Sequence, residues 1–131
     1  GMLPVVTMEG ITHIIICEGT AFYGLINDRA AAEAAVRKWC AEQNAKGLGL
    51  IFTKKEGSEY EMTPLVYIPG SNTVFWENSC GSGSSAFGMY MAKISGRSAD
   101  ISLVQPGGKL RVVSDPAKKE TWIYGRTEMI T

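Results

Sequence analysis

Apolar positions along the chain follow two periods in turn. Residues 5–7 and 12–18 read as extended segments, the second carrying the β-branched run Ile14-Ile15-Ile16. Residues 23–26 predict a further short extended piece. The period then lengthens. Ala32, Val36, Trp39 and Cys40 fall on one face of a helix over Arg29–Gln43, with Asn27-Asp28 as its amino-terminal cap. Gly47 suits a left-handed cap where that helix stops. The two-residue period returns over residues 49–54 and Glu59–Ile68, joined by a Glu56-Gly57-Ser58 turn. A Pro69-Gly70-Ser71-Asn72 turn and a short strand over residues 73–77 follow. A second helix is expected over residues 87–94, ended by Gly96, with Met89, Tyr90 and Met91 in the core. The rest reads as a meander over residues 100–105, 110–114, 121–124 and 128–130, with turns at Pro106-Gly107-Gly108 and Asp115-Pro116. The sum is an α+β pattern of about eight strands and two helices, mostly antiparallel.

Composition narrows the class. The 131 residues carry 13 Lys and Arg against 13 Asp and Glu, a formal charge of zero, and 45% are hydrophobic. This is the makeup of one globular domain. It is too apolar for a disordered chain, and its apolar runs are far shorter than the ~20 residues of a membrane span. Its neutrality disfavours nucleic acid or an anionic membrane as a partner. Gly1 precedes Met2 as a tag remnant would, so the domain is taken as residues 2–131. No charged segment leads into an apolar one, which makes the cytoplasm the expected location. Cys17, Cys40 and Cys80 are widely spaced and odd in number, which suits neither a disulfide framework nor a zinc cluster. Cys17 lies in an apolar run and Cys40 on an apolar helix face, so both read as core thiols. His13 is the one histidine, which excludes a multi-histidine metal centre within the chain.

Chemistry concentrates in Trp76-Glu77-Asn78-Ser79-Cys80-Gly81-Ser82-Gly83-Ser84-Ser85-Ala86. This stretch sets Cys80 between a strand and a helix, at the helix's amino end. Unpaired N–H groups at such an end bind anions and lower the pKa of a thiol. Gly81 and Gly83 let the backbone approach a ligand without side-chain obstruction. Three readings stay open on the residues alone. In the first, Cys80 is a packed small residue in a tight turn. In the second, Gly81-x-Gly83-x-x-Ala86 with Asp100 downstream is a dinucleotide fingerprint, although a meander follows where that motif needs a parallel βαβ unit. In the third, Cys80 is a catalytic thiol.

The run from Glu77 to Ala86 resembles the C-G-(T/S)-G motif of the diaminopimelate epimerase and proline racemase superfamily, which opens a buried helix. Gly10-Ile11-Thr12-His13 resembles that family's G-N-P-H element, and Pro106-Gly107-Gly108-Lys109-Leu110 resembles its late hairpin. The order of elements is similar over nearly the whole chain, and the resemblance is to the carboxy-terminal half of a two-domain enzyme. It implies a mostly antiparallel sheet or barrel wrapped around a central helix, with a second helix on the surface. It also implies a cofactor-independent amino acid racemase or epimerase in which two cysteines flank the α-carbon. One thiolate removes the α-proton and the opposite thiol delivers another. On this resemblance Cys80 is one acid/base residue, and His13 either orients groups or assists proton movement, or is structural at its strand start. Gly81, Ser82 and Gly83 donate to the substrate carboxylate, Asn78 flanks the substrate, and Glu77 is either a solvated or paired carboxylate or a contact to the substrate amino group.

Two departures shape the expectation. Ile11 stands where the family element has Asn, and Glu77-Asn78 lacks the arginine of the family epimerase's Glu-Arg-Gly segment. The resemblance thus implies an amino acid or related carboxylate other than meso-diaminopimelate, and a neutral chain suits a small zwitterion. One cysteine in the right context implies a second base from elsewhere, either a missing amino-terminal half or a homodimer bringing two copies of Cys80 face to face. Two other functions fit the same residues. One is a non-catalytic small-molecule-binding fragment of the same fold, and the other is a thiol hydrolase pairing Cys80 with His13. No metal and no cofactor is expected.

Overall fold

Strand alternation sends successive residues to opposite faces of a sheet, and here each face has its own core. The computed structural model describes residues 4–8, 11–76, 81–115, 117 and 120–125. The elements run β1 (Val5–Met8), β2 (Ile11–Cys17), a 3-10 turn (Tyr23–Asn27), α1 (Arg29–Gln43), β3 (Leu48–Glu56) and β4 (Glu59–Ile68). They continue with β5 (Thr73–Trp76), α2 (Gly81–Ser95), β6 (Ala99–Gln105), β7 (Gly108–Asp115) and β8 (Glu120–Gly125). One sheet holds them in the order β1-β2-β3-β4-β6-β7-β8, with β5 also paired to β4. The β2–β3 and β4–β6 pairings are parallel and the others antiparallel. The α+β class and the mostly antiparallel sheet are therefore as the sequence implied.

The sheet curls around α2, which touches β1, β2, β3, β6, β7 and β8. Ile15, Ile51, Met62, Ile101, Leu103 and Val112 pack with Phe87 on that side. On the other side Ile14, Ile16, Leu48, Leu50, Phe52 and Leu65 pack with Ala32, Val36 and Cys40 of α1. Burial on both faces explains why residues 14–16 are an unbroken apolar run. The outer edge of β4 is divided. Residues 65–68 pair with β5, Tyr60 and Glu61 pair with β6, and Pro64 lies in the gap. A residue without an N–H is tolerated where the ladder is interrupted.

Several elements differ from the sequence pattern. Residues 23–26 belong to a 3-10 turn; Tyr23, Leu25 and Ile26 pack against the α1 core instead of pairing in the sheet. The Asp28 side chain caps α1 as expected, accepting from the Ala31 N–H at 3.1 Å. At its other end the left-handed residue is Asn44 (φ 51°), not Gly47. Gly47 instead permits close packing, because a Cβ there would lie 2.9 Å from Ile68 Cδ1. The second helix starts at Gly81, not at residue 87, since burial of the small residues 83–86 overrides their weak helix propensity. Met89 is exposed, while Tyr90 and Met91 are half-buried against the core.

Gly88 lets α2 approach the sheet closely. A Cβ there would meet Val112 Cγ2 at 2.8 Å and Cγ1 at 3.3 Å. Gly88→Ala gains about 1 kcal/mol of helix propensity but overpacks a buried β-branched neighbour, at a cost of about 1–3 kcal/mol. A net loss of about 1 kcal/mol is expected in urea unfolding. The same substitution should become stabilising in a Val112→Ala background. Stabilisation in the parent would show that α2 shifts freely.

Candidate functional site

In the chain the cysteine segment lies between β5 and α2, and contacts hold each of those two elements. β5 is clamped by α1. The Trp76 indole N–H donates to Glu33 Oε2 at 3.2 Å, and the Arg29 guanidinium lies 4.9 Å over the indole. Trp76 also stacks on Phe52, with ring centroids 6.1 Å apart. Arg37 donates to Asn72 Oδ1 at 2.6 Å in the turn before β5, and lies 5.0 Å over the Tyr67 ring. Glu77, Asn78 and Cys80 lie outside the described residues, as does the side chain of Ser82.

Gly81, Ser82 and Gly83 form the opening of α2, and Gly83, Ser84, Ser85 and Ala86 are buried. The first N–H groups of a helix have no acceptor within it, and the helix dipole is positive there. No acidic side chain occupies this first turn. A helix end of this kind can accept an anion.

His13 is fully buried on the face of β2 that also carries Ile15 and looks towards α2. Its Nδ1 lies 3.3 Å from the Val6 carbonyl oxygen on β1. A carbonyl can only accept, so in this contact Nδ1 is the donor. Across the parallel ladder its partner is Gly49, where a Cβ would stand 3.3 Å from His13 Cδ2. Glycine at that position leaves room for the imidazole. His13 and the opening of α2 therefore belong to the same side of the sheet.

The remaining thiols differ from one another. Cys40 is buried as expected, donates to the Ala45 carbonyl at 3.3 Å, and has its pKa raised by burial. Cys17, expected in the core, is half-buried on the α2 side. It ends β2, and its sulfur accepts from the Thr53 hydroxyl at 3.3 Å. Burial, and then the nearby Cys17, raise the Tyr90 pKa. Asp100, a candidate ribose ligand, is instead held in a two-point pair with Arg111 at 2.8 and 2.6 Å. That hydrogen bonding lowers its pKa. Among the described residues no group of His, Cys, Asp and Glu is arranged to hold a metal, and no helix is long and apolar enough to cross a membrane.

Two contributors were not singled out in the sequence, Trp76 as an anchor and Gln105 as a partner of α2. Gln105 Nε2 donates to Ser84 Oγ at 3.0 Å. A signal was present, since Gln105 extends the inward-facing series of Ile101 and Leu103 with a polar side chain.

Residues 2–125 match a family model described as the histidine racemase CntK N-terminal domain. Curated histidine racemases from two strains of Fusobacterium nucleatum subsp. nucleatum (ATCC 23726 and ATCC 25586) are each 28% identical over 132 residues. Those alignments cover 98% of this chain but 46% and 45% of the relatives. A histidine racemase of Staphylococcus aureus strain Mu50 is 32% identical over 83 residues, 63% of this chain and 30% of its own length. The chain thus spans less than half the length of these relatives. A solved Enterococcus faecalis phenazine biosynthesis protein of the PhzF family is 17% identical, with a TM-score of 0.46, covering 80% of this chain and 34% of that one. The matched domain is amino-terminal, which corrects the expectation of a carboxy-terminal half.

Proposed function

The chain belongs to the histidine racemase CntK N-terminal domain family, and from that membership we propose that it forms one half of a cofactor-independent racemase acting on histidine. The match over residues 2–125, which includes the Cys80-Gly81-Ser82-Gly83 run at the start of α2, is the observation that carries this reading. Cys80 is the acid/base on one face of the α-carbon. The backbone N–H groups of Gly81, Ser82 and Gly83 receive the substrate carboxylate and meet the charge that develops as the α-proton leaves. His13 orients groups or assists proton movement on the same side of the sheet. Glu77 and Asn78 flank the substrate, Glu77 towards its amino group.

A thiol on one face cannot invert the centre alone, because the new proton must arrive from the opposite face. The relatives are more than twice as long as the aligned segment, which favours a complementary carboxy-terminal domain over a second copy of this chain as the source of the second base. The test is α-proton exchange of L- and D-histidine in deuterium oxide, followed by proton NMR and chiral chromatography. It compares this chain alone with the chain joined to its complementary half. Joined protein should interconvert the enantiomers with solvent deuterium at Cα, and the chain alone should not. Interconversion of meso-diaminopimelate but not histidine would refute the substrate assignment. Binding without exchange in either form would leave a carboxylate-binding module.

A further inference from the structure

Along β6 the inward positions are Ile101, Leu103 and Gln105, all buried. The first two are apolar and pack in the core around Phe87. The third is a primary amide where the alternation asks for another apolar side chain. It meets a second buried polar group, since its Nε2 donates to Ser84 Oγ at 3.0 Å. An amide and a hydroxyl are costly to bury unless they are paired. An apolar pair could fill the same space, so the polar pair is explained by direction. Apolar contact sets a distance and leaves rotation free, whereas a hydrogen bond also sets an angle.

The pair joins two well-defined elements. Gln105 faces Gly108 at the end of the β6–β7 hairpin, closed by a Pro106-Gly107 turn. Gly108 has φ 139°, which favours glycine, and proline fixes its own φ, so this turn presents Gln105 from a stiff support. Further along α2, Gly88 is pressed against Val112 of β7. The helix therefore has a contact of shape at Gly88 and a contact of direction at Ser84, next to its opening residues.

We propose that Gln105 is a positioning residue: through Ser84 it sets the rotation of the first turn of α2, and so the aim of the Gly81, Ser82 and Gly83 backbone N–H groups at the substrate carboxylate. This rests on the racemase reading of that turn.

The test compares Gln105→Met, Ser84→Ala and the double variant. Kinetics use the chain joined to its complementary half, and site-resolved alkylation of Cys80, read by mass spectrometry across pH, uses this chain. Gln105→Met should raise KM for L-histidine about tenfold, the effect of one misaimed hydrogen bond to a charged group, and kcat should fall less. The alkylation profile should move to higher pH, because a misaimed helix end stabilises the thiolate less. The double variant removes the pair as a unit, and KM and the alkylation profile should stay displaced in it whatever happens to thermal stability. If all three return to the parent values in the double variant, the pair acts on stability alone and the proposal is overturned. Unchanged KM and profile in Gln105→Met overturn it equally. If the parent protein does not racemise histidine, the functional reading fails by itself. The alkylation profile then still decides, a displaced double variant supporting the role of Gln105 and an undisplaced one refuting it.

Discussion

Cys80→Ala should slow interconversion of the histidine enantiomers at least about 10²–10⁴-fold, the usual worth of a positioned acid/base group, in protein that contains the complementary half. The informative part is what survives. With two bases on opposite faces, each enantiomer presents its α-hydrogen to a different one. Removing the Cys80 thiol leaves the other base able to take a proton from one enantiomer and return a solvent deuteron to the same face. Exchange should therefore persist for one enantiomer, with retention of configuration, and be lost for the other. KM should change little, because the backbone donors of the first turn of α2 do not depend on this side chain. Equal loss of exchange from both enantiomers would mean that Cys80 does not serve one face alone. Undiminished interconversion would remove the thiol from the mechanism. A hydrolase pairing Cys80 with His13 predicts neither asymmetry nor deuterium at Cα.

The parts of the molecule legible in the sequence are those where local chemistry and tertiary packing agree. Asp28 caps α1, and Ala32, Val36 and Cys40 are its buried face, because cap and stripe are local patterns. The start of α2 is not legible locally, because residues 81–85 are glycine and serine, whose intrinsic preference for helix is weak. Residues 83–86 are buried within that helix, a tertiary fact that local preference does not state. The parallel β2–β3 pairing was also hidden, since Ile14-Ile15-Ile16 states burial on both sides and not the direction of a neighbour. At the site, the cysteine motif was visible because glycines at a helix start have a recognisable chemical reason. His13 was named, but nothing in sequence announces that Gly49, distant along the chain, clears space for its ring. In the sequence Gln105 is only the end of a hairpin strand, because its partner, Ser84, lies on a different element.

Phe87→Ala should destabilise the fold by about 3–5 kcal/mol, the range for a large aromatic side chain removed from a packed core. Phe87 is fully buried, sits among Ile15, Ile51, Met62, Ile101, Leu103 and Val112, and meets the Tyr60 ring edge-on at 5.2 Å. Those neighbours come from five strands, so no single element can move in to fill the void. A domain of this size has roughly 7–20 kcal/mol of stability, so the loss is a substantial fraction and should lower Tm by about 10 °C or more. Phe87→Leu keeps much of the volume and should cost about 1–1.5 kcal/mol. Phe87 lies one turn beyond Ser84, so cavity formation also loosens the opening of α2. Phe87→Ala and Cys80→Ala should then separate cleanly. The first should lower Tm and slow exchange from both enantiomers together as temperature approaches the transition. The second should leave Tm near the parent value and spare exchange from one enantiomer. A Tm drop below about 3 °C for Phe87→Ala would show that α2 is not the centre of the core, and would weaken the placement of the carboxylate site at its buried end.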